Sequence, residues 1–547
     1  MGKSFWMMLE SWLKRQGWLE RLLSFAPPLK MIAIRMLYWI QFRALAGRSK
    51  SIKVEALRAL APSLVKAGKF VDAIEMYQRL VSIDRRRVIE YRLKLGEIYA
   101  LCGQIDNAMK EFTRFLKAKV FARDAAITVC HFLAVNGYLA EASSIYKEVS
   151  TRQRIRLQKL KLDDVGIRVL PYYWVDRIGH IAFLDGYVKM CRLGWMPSVL
   201  TALLAPKDKV ANHHYLEYWR PFFSDIVSDP ADIERLEKLV RIPEDIYFAP
   251  HISLSGETTW WIKAAWAAQK QWDEQGRPPL LKLSEEDRKR GWKQLEKMGI
   301  PKGAWFICLH ARDEIFHAQK PDPSQTWRDS NVNNYRIAIR TIVKRGGWVV
   351  RVGDPGMKPL TMPQVIDYAS SRYKADWMDV FLSAECRFFI ATNSGLGIVP
   401  STFGVPAIAV DYIPLANELY IKGGCFIPKL CWTEKEGRFL TFDEAMSPPL
   451  GYTHSGETFR GLKVRDNTPV EINELVTEML DRLDGRFEYS VADEELQRRF
   501  NELRKRHGIV SVAPIGRDFL RTFAALLDEP SSPLSSMSER IGGRQLA

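Results

Sequence analysis

Short apolar runs alternate with amphipathic segments through the second half of the chain. Four of these runs carry the β-branched and aromatic residues typical of buried strands: AWFICLH (304–310), WVVRVGD (348–354), RFFIATNS (387–394) and PAIAVDY (406–412). The segments between them, which include NNYRIAIRTIVKRGG and MDVFLSAEC, predict helices. Strands that alternate with helices in this way predict a parallel sheet with helices on both of its faces.

A second α/β pattern precedes the first one along the chain. The runs VGIRVLPYYWV (165–175) and SVLTALLAP (198–206) predict strands, and the tryptophan-rich stretch 257–275 predicts a helix. The segment DRIGHIAFLDGYVKM reads as a tight glycine loop followed by a helix. Pro278 and Pro279 suit a linker, and Ser284 with Asp287 predicts a capping box at the next helix start. The chain therefore contains two α/β halves.

A repeat of helical character occupies the region before these halves. The segments AGKFVDAIEMYQRLVSID, CGQIDNAMKEFTRFLKAK and NGYLAEASSIYKEVSTR align on a glycine, an alanine and an aromatic residue, with glycines spaced by 35 and 34. The aligned positions are Gly68, Gly103 and Gly137, then Ala73, Ala108 and Ala142, then Tyr77, Phe112 and Tyr146. This period resembles that of the tetratricopeptide repeat. Such helix pairs stack into a solenoid with a concave face, so the repeats predict binding or self-association rather than chemistry.

The two ends of the chain differ in composition from the middle. The first 50 residues hold nine lysines and arginines against two glutamates, 9 − 2 = +7, with Trp6, Trp12, Trp18 and Trp39 among them. Tryptophans beside cations suit a helix at a membrane interface, and an amphipathic helix packed on its own protein explains them equally. The apolar stretch 31–42 is too short to span a bilayer. The tail 529–547 is rich in Ser, Pro and Gly and is expected to be disordered.

These patterns predict six regions. They are basic amphipathic helices (1–50), tetratricopeptide-like repeats (51–155), an N-terminal Rossmann-like domain (156–280), a C-terminal Rossmann-like domain (281–480), C-terminal helices (481–528) and the tail (529–547).

Composition narrows the function classes. The 547 residues carry a net charge of +16, which favours an anionic substrate, a phosphate-bearing donor or an acidic membrane surface. We expect no nucleic-acid partner, because the chain shows no zinc finger, RNA-recognition motif or P-loop. The seven scattered cysteines form no CxxC pair, so we expect reduced thiols, no bound metal and a cytoplasmic protein. No segment resembles a secretory signal.

Polar residues follow the predicted strands where each one ends. In a parallel sheet the carboxyl ends of the strands meet along one edge, which is where ligands bind. In the second half these residues are His310 and Arg312, Arg351 with Gly353 and Asp354, Asn393 and Ser394, and Asp411. In the first half Gly179 and His180 follow a strand, and they face the same crevice if the two sheets stand edge to edge.

Two of these positions suit a phosphate. An arginine presents a rigid fork of donors, although Arg312 could instead pair with Asp313. The stretch NSGLG (393–397) could bring backbone N–H groups to an anion, or it could be a plain turn from strand to helix. His310 could equally be a histidine bonded to backbone. Pro400 replaces the third glycine of the nicotinamide fingerprint, which argues against that cofactor.

Residues 150 to 430 resemble a family of bacterial proteins, often carrying tetratricopeptide repeats, that are described as glycosyltransferases of the GT-B fold. The segments that carry the resemblance are RIGH, MGIP, ICLHARDE, NNYRIAI, VVRVGD and FFIATNSGLGIVPSTFGVP. The His-x-Arg of His310 and Arg312 is also similar to the motif of fucosyltransferases, and the layout of repeats before a GT-B unit is similar to that of O-GlcNAc transferase. The resemblance implies an α/β fold with a GT-B-like pair of Rossmann-type domains behind an all-α repeat region. It also implies that the domain 156–280 lies on the acceptor side and that the domain 281–480 binds the nucleotide sugar.

The resemblance also implies roles for individual residues. Arg312 would hold the β-phosphate of a nucleotide-sugar donor, and His310 would orient it. His180 is the candidate catalytic residue on the acceptor side. The other donor-binding candidates are Arg351, Gly353, Asp379, Asn393, Ser394, Gly395 and Gly397, and Trp327, Arg328 and Asn331 lie on a loop (314–331) that could cover the donor. GT-B enzymes usually need no metal or other cofactor.

Three functions stay open on the sequence. The favoured one is a metal-independent glycosyltransferase acting on a glycan or lipid-linked acceptor in bacterial surface-polysaccharide synthesis. The second is a non-catalytic scaffold in which the repeats bind a protein partner. The third is a sugar-nucleotide epimerase. Peripheral contact with the inner face of a membrane is compatible with all three.

Overall fold

The computed structural model divides the chain into two compact units, Met1–Val120 and Phe121–Ala547. It describes residues 50–66, 68–119, 123–159, 167–195, 200–239, 251–252, 258–259, 261–313, 323–416, 423–447, 450–451, 459, 461–509, 511 and 513–528. The predictions for residues 1–49, for the tail 529–547 and for the first part of the loop (314–322) lie outside these residues. Among the described helices, none has both the length and the apolar run of a membrane span.

The first unit consists of paired helices. They are α1 (Lys50–Lys66), α2 (Phe70–Ile83), α3 (Val88–Leu101) and α4 (Ile105–Ala118). Gly68 and Gly103 form the turns inside the two pairs, with φ of 70° and 73°, a conformation that glycine adopts without strain. The small Ala73 and Ala108 are fully buried, and the Phe112 ring lies so close to Gly96 that a Cβ there would be 2.5 Å from it. The predicted helix pairs and their glycine turns are confirmed, while membership of the repeat family stays a prediction.

The second unit begins with a similar pair of helices. These are α5 (Arg123–Val135) and α6 (Leu139–Lys159), which pack on each other. Gly137 lies between them with φ of 86°, and Ala142 is fully buried. The third copy of the predicted repeat therefore forms a helical hairpin as well.

The first α/β half is a small parallel sheet. Its strands β1 (Ile167–Leu170), β2 (Leu200–Leu204) and β3 (Asp225–Val227) lie in the order β1-β2-β3. The helices are α7 (Ile178–Arg192), α8 (His213–Trp219), α9 (Pro230–Leu239) and α10 (Trp261–Glu274). The short antiparallel pair β4 (His251–Ile252) and β5 (Thr258–Thr259) precedes α10. Helix α7 is buried along most of its length, so it forms the centre of this half.

The second α/β half has the strand order of a doubly wound Rossmann sheet. Six parallel strands are arranged β11-β10-β9-β6-β7-β8. They are β6 (Phe306–His310), β7 (Trp348–Arg351), β8 (Val365–Asp367), β9 (Phe389–Ala391), β10 (Ala407–Tyr412) and β11 (Phe426–Pro428). The strand order reverses between β6 and β9, and the carboxyl ends at such a switch point are where α/β sheets bind ligands.

The helices of this half begin and end where the sequence predicts. They are α11 (Glu285–Lys297), α12 (Arg336–Lys344), α13 (Asp376–Glu385) and α14 (Val399–Thr402). The Ser284 hydroxyl accepts from the backbone N of Asp287 at 3.1 Å, which confirms the predicted N-cap of α11. The fold class is confirmed: two Rossmann-type parallel sheets follow an all-α region.

The rest of the chain packs on the second α/β half. An antiparallel sheet is formed by β12 (Leu430–Thr433), β13 (Arg438–Phe439) and β14 (Leu462–Arg465). The helices α15 (Phe442–Met446), α16 (Pro469–Leu483), α17 (Val491–Arg506) and α18 (Arg517–Thr522) follow in order along the chain. Helix α16 lies against α12, and α18 lies against α16 and α17.

The two α/β halves share one hydrophobic core and are tied by polar contacts. Trp174 and Tyr215 of the first half belong to the same buried cluster as the strands of the second. The Tyr215 hydroxyl lies 2.9 Å from that of Thr402. His214 Nε2 lies 2.7 Å from the Asp287 carboxylate at the start of α11. The polar ends of the strands in the two halves are thereby held at a fixed distance from each other.

Candidate functional site

His310 ends β6 as a buried neutral side chain. Its Nδ1 lies 3.2 Å from the carbonyl of Val352. Burial, with a smaller contribution from Arg312, lowers the pKa of the imidazole to about 4. Gly353 lies against the ring, since a Cβ at that glycine would be 3.0 Å from Nδ1. His310 can therefore serve at neutral pH as an uncharged hydrogen-bonding group, bonded to backbone as one of the sequence alternatives predicted.

Arg312 lies two residues beyond His310 and is also buried. Its backbone N–H donates to the Thr392 hydroxyl at 3.1 Å, which links the ends of β6 and β9. Its Nε lies 3.4 Å from Asp329 Oδ1. The carboxylate paired with the guanidinium is thus Asp329 on the loop after β6, rather than the neighbouring Asp313 considered from the sequence.

Arg328 brings a second guanidinium to the same place. Its Nη2 and Nε donate to the carbonyl of Asn393 at 2.6 and 3.2 Å. Burial, with smaller contributions from the positive charges of Arg312 and Arg177, lowers the pKa of this arginine to about 10. Arg328 is therefore close enough to two other arginines to be repelled by both, and Asp329 lies against Arg312. This arrangement favours binding of an anion with more than one charge.

The loop that carries Arg328 is anchored at several points. The Trp327 ring packs on Phe459 with centroids 4.9 Å apart, in a small cluster with Ile413 and Cys431. Lys429 Nζ donates to the carbonyl of Asp329 at 2.6 Å. The buried Trp327 ring anchors the loop, and its predicted contact with the donor stays a prediction. Because the loop is pinned on both sides of Arg328, the guanidinium is held in place before any ligand arrives.

Asn331 is used to cap the next segment. Its side chain accepts from the backbone N of Asn333 at 3.1 Å, at the start of a short 3₁₀ helix. The side chain is exposed. Asn331 lies beyond the anchored arginine, and its predicted contact with the donor stays a prediction.

The glycine loop after β9 has a different physical basis from the one the sequence suggested. A Cβ on Gly395 would lie 2.8 Å from Cα of Gly179, and a Cβ on Gly179 would lie 2.5 Å from Cα of Gly395. A Cβ on Gly397 would meet the Ala391 side chain at 2.6 Å. These glycines are therefore required by close backbone packing between the halves and against β9. The expected close approach of a phosphate to Gly395 stays a prediction.

Asn393 and Ser394 lie beside this contact. The Asn393 amide donates to the carbonyl of Ile413 at 2.5 Å, while its own carbonyl accepts from Arg328. The Ser394 hydroxyl is buried and has no hydrogen-bond partner among the described residues. Asn393 thus has a structural role in the loop, and Ser394 is the residue here with a hydroxyl to offer a ligand.

His180 lies next to the glycine contact from the opposite side. It is the third residue of α7 and follows Gly179, which touches Gly395 of the second half. Its Nδ1 is 2.6 Å from the carbonyl of Tyr173 and 2.8 Å from Asp176 Oδ1. The sequence expectation that the two halves meet at this edge agrees with these contacts. The one residue predicted as catalytic therefore lies next to the segment that follows β9.

Two of the predicted donor-binding residues, Arg351 and Asp379, form ion pairs within the protein. Arg351 is 1% exposed, and its Nη1 donates to Asp367 Oδ2 at 3.1 Å and to the carbonyl of Lys358. Asp379 pairs with Lys374 at 3.0 Å, and burial raises the pKa of its carboxyl. These contacts order the end of β7 and the start of α13. They provide no direct support for donor binding by Arg351.

Asp411 ends β10 in a strained conformation. Its φ of 53° is unusual for a residue with a side chain, and the carboxylate is fully buried. Oδ1 accepts from the backbone N of Asn467 at 2.6 Å, and Oδ2 accepts from the Ser330 hydroxyl at 2.5 Å. Burial raises the pKa of this carboxyl to about 6. Asp411 thus links the loop that carries Arg328 (the arginine loop) to the end of β10.

Asp411→Asn is expected to flatten the pH dependence of stability between about pH 4 and 6. The folded protein holds the Asp411 proton more tightly than the unfolded chain does, so this group stabilises fully below about pH 4 and its contribution is lost as the pH rises through about 6. A shift of about two pKa units corresponds to about 3 kcal/mol. The carbonyl oxygen of an asparagine can still accept from the backbone N of Asn467, and its NH2 group can donate to the Ser330 hydroxyl, which reverses that bond. Asparagine also tolerates a positive φ.

Urea titrations of both proteins at about pH 4 and about pH 7.5 measure the effect. The difference between variant and wild type isolates Asp411 from His310, whose lowered pKa makes stability rise with pH over the same range. An equal change with pH in both proteins would contradict the assignment.

The sequence missed several residues of this site. Asp329 pairs with Arg312, and Lys429 donates to the backbone carbonyl of Asp329. Asp176 lies against His180. Arg177 lies in the segment RIGH, and the sequence predicted no separate role for it. Among the described residues, no group of three or more His, Cys, Asp or Glu side chains could hold a metal ion.

Comparison with known proteins gives distant structural similarities. No family model and no curated protein matches the chain. The chain is similar to ADP-heptose LPS heptosyltransferase II of E. coli, with 13% identity over 58% of this chain and 100% of that one and a TM-score of 0.31. It is similar to a glycosyl transferase of family 9 from Veillonella parvula, with 11% identity, 57% and 96% coverage and a TM-score of 0.36.

A third similarity is to the iron-containing dodecameric glycosyltransferase TibC from enterotoxigenic E. coli. The identity is 12%, with 58% of this chain and 76% of that chain covered, and the TM-score is 0.32. TM-scores below 0.5 do not establish a shared fold.

Proposed function

We propose that the protein transfers a glycosyl group from a nucleotide-sugar donor to a hydroxyl of a glycan or glycoconjugate acceptor. One observation carries the proposal. Arg312 and Arg328 converge at the switch point of a Rossmann sheet, where burial and mutual repulsion lower the pKa of Arg328. Asp329 offsets one of these charges. An anion that carries two charges, such as a diphosphate, relieves the repulsion.

A nucleoside diphosphate is both the handle of the donor and the leaving group of the reaction. When the bond from the anomeric carbon to the diphosphate breaks, negative charge develops on the phosphate oxygens. Fixed cations at that position stabilise the transition state more than the ground state. The anchoring of the arginine loop provides this fixed geometry. Because the cations come from the protein, we expect that no metal ion is needed.

The neighbouring residues fit supporting roles. His310 is neutral at pH 7 and can orient a phosphate or a sugar hydroxyl without adding charge. The buried Ser394 hydroxyl can donate to a phosphate oxygen. His180, across the glycine contact, is the candidate base for the acceptor hydroxyl. The donor and acceptor groups thus come from different halves.

The acceptor and the setting are argued from the sequence. The resemblance to bacterial glycosyltransferases favours surface polysaccharide synthesis, with a glycan or lipid-linked acceptor. The helical pairs of the first unit would bind a protein partner. A cytoplasmic location, with contact to the inner face of the membrane through residues 1–50, completes this proposal.

Incubation of the full chain with a panel of UDP-, GDP-, ADP- and CMP-linked sugars tests the function. Mass spectrometry would follow the products without added metal. We expect one donor to yield free nucleotide, slowly with water as acceptor and faster with a glycan acceptor, and Arg312→Ala to slow this by about 100-fold or more. Arg340→Ala, which removes an exposed arginine of α12, is the matched control and is expected to react like wild type.

The same experiment separates the alternatives. An epimerase would convert the donor to an isomer of equal mass that chromatography resolves. A scaffold would leave every donor intact, and with folded protein that result would contradict glycosyl transfer.

A further inference from the structure

Asp176 has no role in the function described above, yet it lies against the candidate base. Its Oδ1 is 2.8 Å from His180 Nδ1, across one turn of chain. The carboxylate is 30% exposed and the imidazole 16%. Its Oδ1 is buried and has no hydrogen bond among the described residues besides this close approach. A buried carboxylate oxygen placed on a ring nitrogen requires an explanation.

The surroundings of His180 Nδ1 determine where the ring proton lies. The carbonyl of Tyr173 is 2.6 Å away and the Asp176 carboxylate 2.8 Å away. Both are acceptors and neither can donate, so Nδ1 must carry the hydrogen. The N–H points toward the Tyr173 carbonyl, and Asp176 adds negative charge beside it. In the neutral ring Nε2 then holds the lone pair, which is the form a general base requires.

The fold fixes this arrangement before substrate binds. Tyr173 lies in a 3₁₀ turn (Tyr172–Trp174), and His180 lies in the first turn of α7. Phe183 stacks on the ring with centroids 6.5 Å apart. Gly179 is in close backbone contact with Gly395, so the start of α7 cannot shift relative to the glycine loop after β9. The remaining charged neighbour on this turn is Arg177, which lies near Arg328.

We propose that Asp176 is the positioning residue of His180. Asp176 and the Tyr173 carbonyl hold the proton on Nδ1, and Nε2 takes the proton of the acceptor hydroxyl. The acceptor oxygen forms its bond to the anomeric carbon while the bond from that carbon to the diphosphate breaks, and its electron pair leaves with the diphosphate. The carboxylate then balances the positive charge of the imidazolium. This inference rests on the proposed function.

Kinetics of Asp176→Asn in the full chain provide the first test. The asparagine has nearly the same size and shape as the Asp176 side chain and lacks its negative charge. We expect kcat to fall by about 10- to 100-fold with KM for the donor unchanged within about two-fold, and Asp176→Glu to recover part of the loss. Asp208→Asn, an exposed acid of the same half, is the control and is expected to leave both constants unchanged. A rise in KM with kcat unchanged, or no change at all, would overturn the proposal.

Nitrogen NMR of histidine-labelled protein provides a test that needs no turnover. The His180 signals are those lost in His180→Gln. We expect wild type to show protonated Nδ1 and unprotonated Nε2 at about pH 8, and Asp176→Asn to show a greater share of the other tautomer. A wild-type ring protonated on Nε2 would overturn the inference even if transfer occurs. If no donor reacts but the expected tautomer is found, the proposed function fails while the positioning of the ring stands.

Discussion

Replacing Arg328 by glutamine is expected to weaken donor binding by about 30- to 150-fold and to raise the stability of the empty protein. The arginine is held beside Arg312 and Arg177, and its pKa is lowered by burial and by their charges. Removing it relieves the repulsion, which we expect to add about 1 kcal/mol to the free energy of unfolding. The same change removes charged hydrogen bonds to a diphosphate, worth about 2–3 kcal/mol, or about 30- to 150-fold in Kd.

Removal of a ligand-binding arginine is expected to raise the free energy of unfolding and to weaken nucleotide binding. Removal of a structural arginine is expected to lower the free energy of unfolding and to leave binding unchanged. Arg438 is the matched control, because it makes a two-pronged pair with Glu444 at 2.7 Å. Arg438→Gln is expected to lower stability and to leave binding intact. Urea unfolding and nucleotide titration of both variants measure the two effects. A loss of stability in Arg328→Gln comparable to that of the control would show that the arginine is structural.

Gly179→Ala is expected to lower the free energy of unfolding by about 3 kcal/mol and to remove activity. The added Cβ would lie 2.5 Å from Cα of Gly395, and both partners are backbone, which cannot rotate away. Overpacking of this kind costs about 1–3 kcal/mol or more. The halves would be forced apart at the edge where His180 and the arginines meet, so proton transfer would be lost even in the fraction that folds.

Gly437→Ala serves as the reference for this variant. No atom lies within 4 Å of the Cβ it would add, and its φ of 64° costs only the strain of a left-handed residue, about 1–2 kcal/mol. Thermal unfolding of both variants, with transfer assays on the folded protein, measures the difference. Equal losses of stability would show that the contact between the halves can relax.

The sequence predicted most elements whose hydrophobic pattern is long enough to be distinctive. Strands β6, β7, β9 and β10 and helices α10, α11 and α13 lie where apolar runs and caps placed them. The three-residue strands β3 (DIV), β8 (VID) and β11 (FIP) were not predicted, since each is short and includes an aspartate or a proline. Strand β9 is equally short, and the longer apolar run around it made it predictable. The antiparallel sheet β12–β14 was missed because its strands are separated by a long stretch of chain, from Phe439 to Leu462.

The site was predicted in position but only partly in role. The carboxyl ends of parallel strands meet at one edge of a sheet because of its topology. The sequence could therefore predict that His310, Arg312 and Asn393 lie close together. Which acid meets which base depends on side-chain packing that spacing does not encode. Asp329 pairs with Arg312 over a loop, and Gly395 meets Gly179 from more than 200 residues away along the chain. The sequence predicted phosphate binding by the glycine loop, and the structure adds a packing contact between Gly395 and Gly179 that spacing could not reveal.

The binding of nucleotides, three of them diphosphates, tests the central claim most directly. Calorimetric titration of the purified full chain with UDP, GDP, ADP and CMP, without added metal, would be compared with the same titrations of Arg312→Ala. We predict that one nucleotide binds with a Kd on the order of micromolar and that the variant loses this binding. If a folded wild-type protein binds none of them, the arginine cluster is not a donor site, and the search for function moves to the partners of the helical pairs in the first unit.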